Sequence, residues 1–412
     1  MRPLGNGSIL TTFHSEEVGS VVSSASANGA GDRIAAPSPR PELDGTAEHV
    51  VVLGCGGFIG SHLLDRLLRD SRVRVEGWDT CVDKIRPHLA DPRLELHLES
   101  IADDGAHASL ERAIRRADVV VNLASICRPS EYNTRPLRVI RSNFTDACEV
   151  VEMCAREHTW LVHFSTSEVY GRTLASYVSP GRYDDVALFE LDEDSTPLVM
   201  GPVQNQRWTY ATAKQLLERV IFANAQEESL PFTIVRPFNF FGPRMDFIPG
   251  IDGSGLPRML ASFMGSLLRG EPIRVVDGGG ARRTILSIHD AVDAVILMLT
   301  HRPSAENQIF NIGNRANEVT ILELADLMRR TYAEITGKRA YRRHAIEFVT
   351  GIELYGEGYE DCDRRMPRLD KATTRLGWEP RVPLREALRE TMTYYHEHYD
   401  VERHVNHADM VA

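Results

Sequence analysis

The stretch Val50-Val-Val-Leu-Gly-Cys-Gly-Gly-Phe-Ile-Gly60 decides the fold of this chain. Its first four residues form a short apolar run, which is typical of a strand buried on both faces of a parallel sheet. Glycines at 54, 57 and 60 permit a tight turn, close approach of a pyrophosphate and close packing of a helix on the strand. A helical pattern over 61–69 follows and points its positive end at that turn. The stretch predicts a dinucleotide-binding loop, with an ordinary strand-to-helix turn as the alternative.

Alternation of strands and helices extends this unit into a larger sheet. Apolar runs predict strands at 73–78, 94–98, 119–124, 160–165 and 232–236, and helical patterns at 137–156 and 208–226 stand among them. Such alternation predicts an α/β fold, a Rossmann-type doubly wound parallel sheet with helices on both faces. Beyond Gly242 the pattern becomes mixed, with helices predicted at 256–269, 289–299, 321–336 and 384–399 and strands at 273–276 and 309–312.

We therefore expect four regions. Residues 1–47 are rich in Ser, Gly, Ala and Pro and predict a disordered leader, because little apolar surface offsets the ordering entropy. Residues 48–241 form the dinucleotide-binding domain, 242–400 mainly a smaller and partly interleaved C-terminal substrate domain, and 401–412 a tail.

Composition excludes several classes of partner. The net charge of −11 argues against nonspecific binding to nucleic acid or to acidic membranes, because both require a basic face. An anionic substrate would need arginines concentrated locally. The six cysteines show no CxxC pair and no zinc spacing, so we expect no metal and reduced thiols in the cytoplasm. No apolar run is long enough to span a bilayer, and the N-terminus lacks the pattern of a secretory signal.

Asp79 ends the strand that follows the glycines, about 20 residues after them, where a dinucleotide site places an acid. Its carboxylate would accept hydrogen bonds from the adenosine ribose and repel a 2'-phosphate, which favours NAD over NADP. A solvated acid at a strand end is the alternative. The residues that we expect to contact NAD are Gly54, Gly57, Phe58, Ile59, Gly60, Asp79, Leu123, Ala124, Tyr210 and Lys214.

Tyr210 and Lys214 lie four positions apart in Thr209-Tyr-Ala-Thr-Ala-Lys-Gln. On a helix this spacing places both side chains on one face. A lysine ammonium beside a tyrosine stabilises the phenolate, so we expect a lowered pKa and a general base for a hydroxyl. Alone, the pair also fits an ordinary surface helix.

Polar residues follow the strand at 160–165. The run Phe164-Ser-Thr-Ser-Glu-Val-Tyr-Gly171 places hydroxyls at Thr166 and Ser167 and a carboxylate at Glu168. Open α/β sheets bind ligands at the carboxyl ends of their strands, so these groups are candidates for contacts with a substrate. A polar turn capped by serines is the alternative.

The glycine loop, Thr166 and the Tyr210/Lys214 pair resemble the extended short-chain dehydrogenase/reductase family, also called the NAD-dependent epimerase/dehydratase family. Further runs are similar to UDP-glucuronic acid decarboxylases, and among them to UDP-apiose/xylose synthases. These runs are Asn133-Thr-Arg-Pro-Leu, Ser165-Thr-Ser-Glu-Val-Tyr-Gly, Arg207-Trp-Thr-Tyr, Arg236-Pro-Phe-Asn, Gly242-Pro-Arg-Met-Asp-Phe-Ile-Pro-Gly-Ile-Asp-Gly and Leu354-Tyr-Gly-Glu-Gly-Tyr. The resemblance extends from about Val50 to Tyr395.

The resemblance implies a homodimer and the NAD-dependent decarboxylation of UDP-glucuronic acid through a 4-keto intermediate, which gives UDP-apiose, UDP-xylose or both. It implies Tyr210 as base and Lys214 at the nicotinamide ribose, with Thr166 on the reacting hydroxyl. The implied roles of the remaining catalytic and substrate-binding residues concern proton transfer, the sugar carboxylate and the diphosphate. Those residues are Cys127, Tyr132, Ser167, Glu168, Arg207, Asn239, Arg244 and Arg283.

The product depends on two positions. Formation of apiose requires carbon-carbon cleavage and reclosure of the ring, and the resemblance implies two cysteines for it. Cys127 matches the first, whereas Ser167 occupies the second, as in plain decarboxylases. A plain decarboxylase that gives UDP-xylose or a 4-keto pentose is therefore the alternative. A UDP-sugar 4-epimerase or dehydratase and a non-catalytic NAD-binding protein also stay open.

Overall fold

The computed structural model describes residues 40–43, 47–69, 72–172, 184–249, 251–253, 255–357 and 359–399. From Arg40 onward the chain forms one compact unit. The predicted leader lies largely outside the described residues, and the predicted tail entirely. Residues 40–43 fall within that leader but contact the folded unit, because Arg40 donates a 2.8 Å hydrogen bond to Asp293 and Leu43 is buried. No described helix is long and apolar enough to cross a membrane.

Seven strands of the described chain form one parallel sheet in the order β12-β7-β5-β4-β1-β2-β3. The predicted fold class, a doubly wound Rossmann-type sheet, is confirmed. The strands are β1 His49–Leu53, β2 Arg74–Trp78, β3 Leu94–His97, β4 Val119–Asn122, β5 Trp160–Phe164, β7 Phe232–Pro237 and β12 Gln308–Ile312. Short strands pair in twos elsewhere: β6 Glu190–Leu191, β8 Phe240–Phe241, β9 Ile273–Val276, β10 Arg282–Thr284, β11 Leu286–Ser287, β13 Glu318–Thr320, β14 Ile346–Val349 and β15 Met366–Pro367.

Helices cover both faces of this sheet, and further helices pack on the short strands of the chain after residue 242. They are α1 Phe58–Leu67, α2 His107–Arg116, α3 Pro129–Thr134, α4 Pro136–Ile140, α5 Asp146–Arg156, α6 Thr209–Glu227, α7 Met259–Arg269, α8 Ile288–Thr300, α9 Arg302–Ala305, α10 Ile321–Thr336, α11 Gly351–Tyr355, α12 Asp370–Leu376 and α13 Leu384–His398. Successive residues of β1 pack into the apolar cores on opposite faces of the sheet, since successive side chains of a strand point to opposite faces. Val50 and Val52 pack with α1 and α8, whereas Val51 and Leu53 pack with α2, α5 and α6.

The helix predicted over 137–156 is interrupted. A π turn over Arg141–Thr145 separates α4 from α5. Asn143 is buried in this turn and donates 2.9 Å hydrogen bonds to the carbonyls of Ile126 and Val139. The wider turn thus binds the segment that follows β4, a contact that a helical periodicity does not reveal.

The predicted strand at 309–312 joins the main sheet. We assigned it to the C-terminal part of the chain, yet β12 pairs in parallel with β7, with Ile309 opposite Ile234. The chain after residue 242 therefore returns to the central sheet. Division into an NAD-binding and a substrate domain near that residue stays a prediction.

Candidate active site

The glycine loop connects β1 to α1 with almost no space for side chains. Gly54 has φ +82°, and a Cβ atom there would lie 2.9 Å from the Ala124 nitrogen. A Cβ at Gly60 would lie 2.2 Å from the Gly54 carbonyl oxygen. No side chain caps the N-terminus of α1 at Gly57, so the first amides of the helix are available to a phosphate. The loop fits the pyrophosphate of a dinucleotide.

Asp79 holds the tip of this loop. Its Oδ2 accepts a 2.9 Å hydrogen bond from the Gly56 amide, and its Oδ1 accepts one of 2.9 Å from the Cys81 amide. Burial raises the pKa of Asp79, although both amides and Lys84 act in the opposite direction. The acid is thus fixed at the end of β2, where a ribose hydroxyl would meet it.

Tyr210 and Lys214 occupy the first turns of α6, and both are buried. Lys214 Nζ donates a 2.9 Å hydrogen bond to the Phe164 carbonyl, which ties α6 to the end of β5. Burial lowers the pKa of Lys214 to about 8. The Tyr210 ring stacks on Tyr132, with ring centroids 5.2 Å apart, and a hydrogen bond joins Tyr210 to Thr166.

The structure corrects the expectation that Lys214 lowers the pKa of Tyr210. Burial raises the pKa of the phenol well above its usual value, and Cys127 and Glu168 act in the same direction. The hydrogen bond with Thr166 opposes this shift without cancelling it. A buried phenolate loses its hydration, and this loss is the largest contribution to the shift in the protein alone.

A cavity of about 560 Å³ opens at the carboxyl ends of β4, β5 and β7. Twelve of the predicted site residues line it: Phe58, Ile59, Leu123, Cys127, Tyr132, Thr166, Ser167, Glu168, Arg207, Tyr210, Asn239 and Arg283. The structure therefore brings together, from six separate stretches of sequence, most of the side chains predicted for chemistry. Seven predicted residues lie outside the lining: Gly54, Gly57, Gly60, Asp79, Ala124, Lys214 and Arg244.

One end of the cavity is strongly charged. Arg207 pairs with both oxygens of Glu168, at 2.6 and 3.2 Å, and its guanidinium carbon lies 5.6 Å from the Tyr132 ring centroid. Burial acts to raise the pKa of Glu168, but Arg207 and Arg365 hold it below its usual value. Glu168 is therefore a carboxylate at neutral pH and suits orientation of a ligand better than donation of a proton.

Arg283 is already engaged within the protein. Its Nη2 pairs with Asp361, and its Nη1 donates to the carbonyls of Arg282 and Cys362 at 2.8 and 2.9 Å. Tyr359 donates a 3.3 Å hydrogen bond to the same aspartate. The aspartate neutralises much of the charge that Arg283 presents to the cavity.

Arg365 was missed by the sequence analysis. It lines the same end of the cavity and is only 6% exposed, and its Nε and Nη2 atoms have no hydrogen-bond partner among the described residues. The adjacent Arg364 pairs with Glu318 at 2.6 Å. Both arginines line the cavity, and no local signal in the sequence identifies Arg365 as the one whose donors stay free among the described residues. A buried guanidinium with free donors is a ready site for an anion.

Arg244 does not reach the cavity, contrary to the expectation that it faces a diphosphate. Its guanidinium pairs with Asp65 and donates 3.0 Å hydrogen bonds to the Lys84 carbonyl and to His62 Nδ1. Burial and this arginine lower the pKa of His62 to about 4, so His62 is a neutral acceptor. Arg244 therefore anchors its loop to the outer face of α1.

Arg258 is a second missed residue, and it lines the cavity where Arg244 was expected. It pairs with Asp246 at 3.3 Å, and its guanidinium carbon lies 5.6 Å from the Phe58 ring centroid at the start of α1. Its position next to the phosphate-binding loop makes it the better candidate for a diphosphate. Asn239 also lines the cavity, and its amide donates 3.1 Å to the Thr284 carbonyl.

Comparison with known proteins defines the class. Residues 50–313 match the model of the NAD dependent epimerase/dehydratase family, and this chain belongs to that family. It is therefore an NAD-dependent enzyme, and the glycine loop, Asp79 and the uncapped end of α1 fit this cofactor.

Individual proteins show high sequence identity to this chain over most of its length. The chain is 45% identical over 374 residues to UDP-D-apiose/UDP-D-xylose synthase 1 of Arabidopsis thaliana, which covers 87% of this chain and 95% of that protein. A UDP-D-apiose/UDP-D-xylose synthase of Oryza sativa subsp. japonica is 45% identical over 379 residues, 89% of this chain and 94% of its own. Among solved structures, the PbgP3 protein from Burkholderia pseudomallei is similar, with 30% identity, a TM-score of 0.72 and coverage of 85% and 97%.

Replacing Gly60 by Ala tests the fit of the glycine loop. The added methyl would meet the Gly54 carbonyl oxygen at 2.2 Å, so α1 must move away from β1. We expect a loss of about 1–3 kcal/mol in the free energy of unfolding, measured in urea. Affinity for NAD, measured by calorimetry, should fall about tenfold or more.

Gly105→Ala is the matched control, because nothing lies within 4 Å of a Cβ there. It should leave both measurements unchanged. Normal NAD binding by Gly60→Ala would contradict the assignment of this loop to the cofactor.

Proposed function

We propose that this enzyme decarboxylates UDP-glucuronic acid in an NAD-dependent reaction through a 4-keto intermediate and releases UDP-apiose, UDP-xylose or both. The observation that carries this proposal is the pair of buried donor atoms of Arg365, at the charged end of the cavity, that no other described residue engages. The names of the relatives with 45% identity support the same substrate class.

The charged end is suited to the sugar carboxylate. An arginine fork binds a carboxylate with two hydrogen bonds, and low local polarity strengthens the attraction. Arg207 and Arg283 each have a carboxylate partner, Glu168 and Asp361, whereas Arg365 Nε and Nη2 have none among the described residues. Arg365 is thus our choice for the group that neutralises the substrate.

Tyr210 would remove the proton of the sugar 4-hydroxyl, and the presence of Thr166 beside it in the cavity supports this role. When bound, NAD supplies the hydride acceptor and a positively charged ring, and positive charge near a phenol lowers its pKa. Because burial raises the pKa of Tyr210 in the protein alone, the phenol is protonated at neutral pH before ligands bind. Tyr210 would therefore become a phenolate, the form that acts as a base, only after the cofactor and substrate bind.

The ketone at carbon 4 is beta to the carboxylate. The bond between carbon 5 and the carboxyl carbon can therefore break, with its electron pair moving to the ketone oxygen as carbon dioxide leaves. The hydroxyls of Thr166 and Tyr210 are the donors that would stabilise this oxyanion. Carbon 5 would then take a proton. To give UDP-xylose, the bound reduced cofactor would supply the hydride for carbon 4 and Tyr210 would return the proton to the oxygen on that carbon.

The branched product depends on Cys127 and Ser167, which line the same cavity. The resemblance to the synthases implies two thiols for the cleavage and reclosure of the ring. A thiol can form a thiolate beside a cation, whereas a serine hydroxyl does not ionise near neutral pH. Ser167 therefore favours the plain decarboxylase as the second candidate function.

Incubation of the purified protein with UDP-glucuronic acid and NAD tests the proposed function. We expect release of carbon dioxide and UDP-pentoses identified by NMR. Tyr210→Phe lacks the base, so its turnover should fall by about 10³-fold or more while NAD still binds. A branched sugar among the products selects the synthase, and its absence selects the plain decarboxylase. Epimerised UDP-sugars without carbon dioxide would refute both.

Arg365→Gln separates recognition of the carboxylate from recognition of the nucleotide. Loss of one charged partner in a buried site costs about 2–5 kcal/mol, so kcat/KM for UDP-glucuronic acid should fall at least about 30-fold. Affinity for UDP-xylose, which has no carboxylate, should be unchanged. The control is Arg368→Gln, whose side chain is 44% exposed and pairs with Asp370. Equal losses for both ligands would contradict the role of Arg365.

The resemblance further supports a homodimer in the cytoplasm. Apolar side chains lie exposed on α4 and α6, namely Leu137, Ile140, Leu216 and Phe222. These two helices contact each other within the chain, so the four side chains belong to neighbouring surfaces. A second copy of this chain, packed through the same helices, would remove this apolar area from water.

Sedimentation should therefore give a mass of twice the 46.2 kDa chain. The double variant Leu137→Asp/Phe222→Asp should sediment as a monomer, because burial of two new charges at the interface is costly. Leu89→Asp, also exposed but on another surface, should stay dimeric. A wild-type monomer would end this part of the proposal.

A further inference from the structure

A cluster of possible metal ligands lies on the sheet outside the active site. Glu76 on β2 and Glu95 and His97 on β3 offer donor atoms that all lie within 4.8 Å of one another. His97 Nε2 is 3.6 Å from an oxygen of Glu76 and 3.6 Å from an oxygen of Glu95. This nitrogen is buried and has no hydrogen-bond partner among the described residues. It points between two carboxylates.

Strand register brings the two carboxylates together. Glu76 is directly opposite Glu95 where β2 pairs with β3. Like charges opposite each other on one face destabilise a sheet, so a cation between them would relieve a repulsion. His97 is two residues beyond Glu95 and therefore points to the same face. The sequence shows no zinc-binding spacing because only this pairing assembles the three residues.

Outer partners orient the Glu76 carboxylate. His49 Nε2 lies 3.1 Å from one of its oxygens, while His49 Nδ1 lies 3.1 Å from the Arg116 carbonyl. Arg116 also donates a 2.7 Å hydrogen bond to the other oxygen. The Arg116 side chain is 56% exposed, so it can turn to solvent when a metal takes that oxygen. The hydrogen bond with His49 would remain, and bonds of this kind hold metal-binding carboxylates in position.

We propose that Glu76, Glu95 and His97 bind one Zn²⁺ ion, with water as a fourth ligand. Zinc accepts a tetrahedral set of imidazole and carboxylate donors, and bonds of about 2.0–2.2 Å place neighbouring donors about 3.3–3.6 Å apart. The two separations of 3.6 Å at His97 fit such a set, and the two carboxylates, whose donor atoms lie within 4.8 Å of each other, would close around the ion. Carboxylates with imidazole favour zinc over calcium or magnesium, which prefer oxygen donors alone.

The ion would act as a structural clamp and takes no part in the proposed reaction. β3 is the edge strand of the sheet, and its neighbour β2 ends next to Asp79. A metal bridging Glu76 to Glu95 and His97 would hold this edge strand in register. His97 also stacks on Trp78, with ring centroids 4.0 Å apart, so binding should alter the fluorescence of that tryptophan.

Titration of the chelator-treated full chain with Zn²⁺ tests the proposal. We expect one ion per chain by calorimetry, a higher midpoint of thermal unfolding and a change in Trp78 fluorescence. Substitution of Co²⁺ should give the visible absorption of a tetrahedral site. In His97→Ala and in Glu95→Gln, affinity for zinc should fall about tenfold or more.

Two controls keep the result decisive. Glu95 is 65% exposed, so Glu95→Gln preserves the fold even where His97→Ala does not. His107→Ala removes another histidine paired with a glutamate, Glu149 at 2.9 Å, where the described residues form no group of three possible metal ligands. It should bind zinc like the wild type. No binding by the wild type, or binding that Glu95→Gln leaves unchanged, would overturn the proposal.

Discussion

The position of α6 against the end of β5 is the constraint on which the active site depends. Lys214 bonds the Phe164 carbonyl, and one turn further Glu218 accepts hydrogen bonds from Ser165 and from two nitrogens of Arg236 on β7. Glu218 and Arg236 are both buried, so loss of either charge would leave the other uncompensated. This network holds Tyr210 and Thr166 at the same end of the sheet. The proposed reaction requires Tyr210 and Thr166 to lie together at this end of the sheet, whatever the pKa of Tyr210 is.

Positive charge is concentrated at one end of the cavity, although the chain as a whole is acidic. The chain has a net charge of −11, yet Arg207, Arg283 and Arg365 converge on one end of the cavity. Glu168 and Asp361 neutralise the first two, so a ligand carboxylate would meet the one remaining charge, that of Arg365, and not three unpaired arginines. Such balance reduces the cost of burying the arginines and leaves Arg365 as the group with free donors.

Tyr210 illustrates the limit of reasoning from spacing. The four-residue interval places it correctly on the face of α6 beside Lys214, and both residues are buried there. The spacing of the two residues in the sequence does not show how much water is removed from the phenol. Burial decides the direction of its pKa shift, and burial is a property of the whole cavity. If Tyr210 acts as the base that we propose, a bound cofactor would have to contribute to lowering its pKa.

Local pattern determined the elements of this fold, because each depends on neighbours in sequence. The run from Val50 to Gly60 predicted strand β1, the turn after it and the start of helix α1. Helical periodicity predicted α10 at residues 321–336. Long-range packing decided which polar residues reach the cavity. Arg244 binds Asp65 on α1, whereas Arg365, without any motif, lines the charged end. The π turn at Asn143 and the pairing of β12 with β7 likewise rest on contacts with distant parts of the chain. An isolated stretch cannot specify such contacts, since its side chains acquire their partners only when the sheet is assembled.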